Sequence, residues 1–217
     1  MRVKSIEFAL TIFFLSALGF LVFILSFNRS SYTAAKKDPR YISLQKPIYL
    51  VADPSFWTVC AKHPALAKTC RSVVTQIVRD GINSWLKHFN ADKRPELVIV
   101  DSSKDVPALA NTPIHLRIIK NGCVLEDGAH PACYRTDMDV LQAIVFSEPN
   151  SISTRLVTHE FGHALGRIYT HNDMPKGKYS VMSYNLPSGY VLPLDIQIMC
   201  ATHTECPPHE DTWCEGG

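Results

Sequence analysis

A chain of 217 residues, 46% of them hydrophobic and 19% charged, has the composition of an ordinary folded protein and the length for one domain with a substantial core. Its 22 basic and 20 acidic residues leave a net charge of +2, which gives no basis for a nucleic-acid partner. No internal repeat or low-complexity tract interrupts it.

Arg2 and Lys4 precede a nearly continuous apolar run from Ile6 to Phe27. A secretory core is usually about 7–15 residues, whereas about 20 apolar residues span a bilayer as a helix. Residues 1–27 are therefore expected to be an uncleaved signal anchor, in preference to a signal peptide cleaved between Asn28 and Ala35. Residues 28–44 are expected to be a linker, and 45–217 the folded domain with a cysteine-rich tail. The basic residues on the two sides of the span balance and do not set its orientation.

Seven cysteines bear on the compartment. Cys60 and Cys70 are ten apart, as are Cys123 and Cys133, while Cys200, Cys206 and Cys214 crowd the C-terminus. This spacing predicts two local disulfides and a third in the tail, hence an oxidising compartment. The domain is expected outside the cytoplasm, membrane-anchored, or secreted if the N-terminal segment is removed.

Pro47–Ala52 reads as a first strand. From Leu66 to Phe89, apolar residues recur at helical spacing around Val74, Val78 and Trp85, which predicts a long helix packed on a sheet, with Gly81 weakening it by about 1 kcal/mol. Glu96–Asp101 and Pro113–Lys120 read as strands, the second carrying His115 as a pairing or surface histidine. Asn121-Gly122 marks a turn into a loop that holds Glu126, Asp127 and His130. Val140–Phe146 reads as a buried strand. A turn at Glu148 then leads into a helix capped by Ser151 or Ser153.

That helix carries HExxH at His159, Glu160 and His163. Residues four apart share a helical face, so both imidazoles can reach one Zn2+ ion with Glu160 beside it. Zinc with three protein ligands keeps a position for water and lowers its pKa to about 7, and a neighbouring carboxylate can take the proton. Gly166 is placed to end the helix. Downstream, SVMSY contains Met182 and Tyr184, and Leu192–His203 reads as a closing helix with Pro193 in its first turn and Asp195 as a helix-start or core hydrogen-bonding residue. His203 and His209 are expected at the surface of a stapled tail.

HExxHxxG followed by SVMSY resembles the metzincin clan of zinc endopeptidases. The resemblance extends over most of residues 45–203. It implies an α+β fold: a twisted mixed sheet with a long backing helix and an active-site helix, then a Met-turn and a C-terminal helix. It also implies His159 and His163 as ligands, Glu160 as general base, Met182 as the Met-turn residue and Tyr184 as the oxyanion donor. One position departs from the clan's pattern, because Tyr169 stands where the third ligand is expected. His171 is the first candidate for that role, followed by Asp173 and then Tyr169. The implied activity is hydrolysis of a peptide or protein substrate. The alternative is a non-catalytic zinc-binding or interaction module on a degenerate scaffold of the same kind.

Overall fold

A computed structural model of the protein describes residues 38–61, 64–89, 94–125, 128–166, 180–182 and 190–203. The expected signal anchor lies outside them, as do Tyr169, His171, Asp173, Tyr184 and His209. No helix among the described residues is long and apolar enough to cross a membrane. Every element below belongs to the unit Pro39–Gly217.

The architecture is mixed α/β, built on one five-stranded sheet. Strands β1 (Ile48–Ala52), β2 (Leu97–Val100), β3 (Ile114–Ile118), β6 (Ala132–Arg135) and β7 (Ala143–Phe146) lie in the order β2-β1-β3-β7-β6. Four run parallel, and β6 pairs antiparallel with β7, Cys133 opposite Val145 and Tyr134 opposite Ile144. A small hairpin, β4 (Val124–Leu125) and β5 (Gly128–Ala129), precedes β6. The helices are α1 (Ala67–Leu86), α2 (Thr154–Gly166) and α3 (Pro193–Thr202).

Parallel strands must bury both faces. On β3, Ile114 and Leu116 join the main core with α1 and α2, as do Ile144 and Phe146 on β7. The alternate residues Ala143 and Val145 face a smaller cluster with Cys123 and Cys133. His115 and Arg117, also on the alternate face of β3, share the carboxylate of Asp53, whose Oδ1 lies 2.9 Å from His115 Nδ1; Arg117 also forks onto Asp139. His115 is thus a pairing histidine and is buried.

The buried stripe of α1 is Val74, Val78, Ile82, Trp85 and Leu86, while Leu66 and Val73, which fit the same apolar pattern, are exposed. Gly81 has a role beyond weakening the helix. A Cβ there would lie 2.6 Å from Val157 Cγ1 and 3.0 Å from the Thr154 carbonyl, so glycine lets α1 and α2 cross closely. At the same crossing the Trp85 indole donates to the Thr158 carbonyl (2.8 Å), and the Thr158 hydroxyl lies 3.1 Å from the Gly81 carbonyl.

Disulfides join Cys60 to Cys70 and Cys123 to Cys133, the two expected pairings. Cys200 is disulfide-bonded as well. The folded unit begins earlier than the expected domain boundary. Ile42 and Leu44, in the stretch read as linker, are about 1% exposed in the core, and the Asn111 side chain bonds both the N–H and the C=O of Ser43. His203 is likewise no surface residue. It is fully buried, with Nε2 2.7 Å from the Leu165 carbonyl and its ring stacked on Tyr41, because the closing helix carries it under the end of α2. Strand β6, which among the described residues pairs only with β7, was not expected.

Candidate metal centre

Helix α2 begins where Ser153 caps it, its hydroxyl accepting from the Leu156 N–H (3.3 Å). His159 and His163 follow on one face, with ring centroids 5.1 Å apart and planes at 80°. The ligand atoms of His159, Glu160 and His163 all lie within 4.8 Å of one another, so the group could hold a metal ion.

The donor set suits a cation of zinc's type. His159 Nδ1 donates to the Val181 carbonyl (2.9 Å), which fixes the ring and makes Nε2 the nitrogen that could take a metal. Burial lowers the pKa of this imidazole, against the pull of that hydrogen bond, and so favours the neutral form a metal requires. Glu160 is 3% exposed and accepts a hydrogen bond from the Tyr134 backbone N–H on β6. Burial outweighs that bond and pushes its carboxyl up to about 8.

Beneath the histidines sits the segment Ser180–Met182. Met182 is fully buried, and a Cβ on Gly162 would lie 2.4 Å from its sulfur and 2.6 Å from Trp85 Cζ2. The middle of the HExxH motif therefore packs directly on the methionine. Asp195, in the first turn of α3, holds the segment: it accepts from the Ser180 hydroxyl, the Val181 N–H (3.0 Å) and the Leu192 N–H (2.8 Å). Burial pushes the Asp195 carboxyl up, and these three bonds oppose it.

Two cavities flank the histidines along β6. One of about 230 Å³ is lined by Arg40, Tyr134, Thr136 and His163. The other, about 70 Å³, lies among His130, Pro131, Ala132, Arg155, Leu156, His159 and Glu160.

Of the residues expected at the site, His159, Glu160 and His163 come together and Met182 lies below them. The third-ligand candidates His171, Asp173 and Tyr169, and the expected oxyanion donor Tyr184, fall outside the described residues. Sequence reasoning missed Arg40, His130, Arg155 and the Tyr134 N–H. Only Arg155 carried a signal, standing one helical turn before His159. No family model and no curated protein matches the chain.

Proposed function

We propose that the protein is a zinc-dependent endopeptidase of metzincin type, acting outside the cytoplasm. The observation that carries this reading is the buried group His159, Glu160 and His163 on one helix, beside an antiparallel edge strand. Met182 packed beneath Gly162 supports it, and so do the disulfides, which belong to an oxidising compartment.

His159 and His163 would hold the zinc together with a third donor from the segment after Gly166, His171 being the first candidate. Bound there, zinc supplies a Lewis acid for the scissile carbonyl and acidifies a water. The remaining steps fall to side chains. Glu160 takes the proton of the attacking water and returns it to the leaving amine. Its carboxyl is buried and accepts a hydrogen bond from the Tyr134 N–H, which holds it in place. Tyr184 is proposed as the donor to the oxyanion. Among the described residues β6 pairs only with β7, so an extended peptide laid along its other side passes both cavities.

The test is whether zinc-loaded protein cleaves peptides, and loses cleavage but not zinc when Glu160 is replaced by glutamine. Zinc without any cleavage would favour a non-catalytic module.

A further inference from the structure

We infer that the turn Pro107–Ala110 lies in the surface of a lipid bilayer, with the Leu109 side chain inserted and Lys46 at the level of the headgroups. The inference rests on the reading of residues 1–27 as a membrane anchor and is independent of the peptidase reading.

Among the described residues Leu109 is the most exposed large hydrophobic side chain, at 86%. A leucine exposed singly needs no partner, but this one stands in an apolar run. Pro107, Ala108 and Leu109 are all exposed on a tight turn closed by the Ala110 N–H on the Pro107 carbonyl (3.0 Å). The base of the turn is stapled to the residues before β1, which holds the tip out. The buried Asn111 side chain accepts from the Ser43 N–H (2.9 Å) and donates to the carbonyls of Ser43 (2.9 Å) and Pro47 (3.1 Å). Lys46 Nζ donates to the Leu109 carbonyl (3.1 Å), so an ammonium group stands at the foot of the apolar tip. An apolar tip over a cationic foot matches the bilayer boundary, where acyl chains lie beneath phosphate headgroups. The remaining N–H donors of that ammonium can take a phosphate oxygen.

Placement favours lipid over a protein partner. β1, β3 and β7 run parallel, so the residues that lead into them share one edge of the sheet. Lys46, the turn with Leu109, and Leu141, which is 53% exposed, all stand there, and the Gln142 side chain donates to the Thr112 carbonyl (2.7 Å). The chain enters the folded unit at the same edge, where the Thr112 hydroxyl donates to the Pro39 carbonyl (2.5 Å). The apolar run Ile6–Phe27 is separated from this point by residues 28–38 alone, a tether that reaches at most about 40 Å. A domain so tethered stays within that distance of the bilayer, and the edge that carries the tether is the one that meets it. Leu66 and Val73, exposed at the start of α1, and Val124 and Leu125, exposed on the hairpin after β3, follow the opposite ends of their strands.

The experiment reconstitutes the full chain in vesicles of phosphatidylcholine and phosphatidylserine, with or without bromine on the acyl chains, and follows tryptophan emission, which bromine quenches on contact. The emission that Leu109→Trp adds to that of the three native tryptophans should shift to the blue and fall by about half or more in the brominated vesicles, as for a ring about 5–10 Å into the boundary. Leu66→Trp, at the start of α1, should add emission that bromine leaves unchanged. Both positions are exposed, so neither change is expected to disturb folding, which thermal unfolding verifies. Flotation of the same samples tests the anchor by itself, and no arm depends on peptide cleavage. A chain that does not float with the vesicles would sink the anchor reading and the inference together. A chain that floats with the Leu109→Trp emission unquenched would overturn the inference alone and leave the turn to a protein partner. Equal quenching at both positions would overturn it as well, because the domain would then present no preferred face to the lipid.

Discussion

His159 donates from Nδ1 to the carbonyl of Val181, and the Val181 N–H donates in turn to Asp195, so a carboxylate at the start of α3 aims an imidazole on α2. Removing that carboxylate leaves the Ser180 hydroxyl and the Val181 and Leu192 N–H groups without their acceptor. Asp195→Ala should therefore cost about 2–4 kcal/mol of stability and, through the loosened Val181, weaken zinc binding roughly tenfold. Denaturant unfolding and chelator competition measure the two effects. A variant that loses stability but keeps full zinc affinity would show that the turn does not orient His159.

The two crossing glycines lead to a second prediction. Alanine is the better helix former by about 1 kcal/mol, yet at Gly81 its methyl meets Val157 at 2.6 Å and at Gly162 it meets Trp85 at 2.6 Å. Both Gly81→Ala and Gly162→Ala should lower stability by about 1–3 kcal/mol, the cost of overpacking. Gly162→Ala should also weaken zinc binding, because it displaces the helix turn between His159 and His163. Thermal unfolding with and without zinc checks this, and a higher midpoint in either variant would contradict the packing described.

A pH dependence follows from Glu160 in the metal-free protein. Its carboxyl ionises near 4.5 in the unfolded chain but holds its proton to about 8 when folded. Between these values the folded chain binds more protons than the unfolded one, so stability falls as pH rises through the window and levels off above it. The slope from this residue is at most about 1.4 kcal/mol per pH unit. Urea unfolding of chelator-treated protein between pH 5 and 8 should show the decline, and Glu160→Gln should flatten it. An equally steep decline in the variant would assign the effect to another group.

The third ligand separates three candidates. His171→Ala should lower zinc affinity by orders of magnitude, whereas Asp173→Ala and Tyr169→Phe should leave it nearly intact. Competition with a chromophoric chelator measures each. If Asp173→Ala strips the metal and His171→Ala does not, the carboxylate is the ligand.

Much of this arrangement was readable in the chain because it follows short-range rules. The i, i+4 pair His159 and His163, the cap at Ser153, Pro193 in the first turn of α3 and the ten-residue cysteine spacings are all local. What was not legible depends on partners distant in sequence. β6 is four residues long, too short for its periodicity to distinguish it from a loop, and it is a strand because β7 pairs with it. Gly81 reads as a helix defect until Val157, 76 positions later, lies against it. His203 reads as a tail residue because its burial beneath Leu165 is a tertiary contact with no local signature. The smaller cavity likewise brings together His130 and Arg155 from two separate segments.

The most direct test of the central claim pairs zinc content with peptide cleavage in wild-type protein and Glu160→Gln. Glutamine keeps the shape of the side chain and removes the base, and Glu160 is not a zinc ligand in the mechanism proposed. The variant should hold as much zinc as the wild type and cleave peptides at least 100-fold more slowly, in line with the usual contribution of a general base of about 10²–10⁴. Unchanged cleavage in the variant, or zinc-loaded wild-type protein that cleaves no peptide at all, would contradict the account.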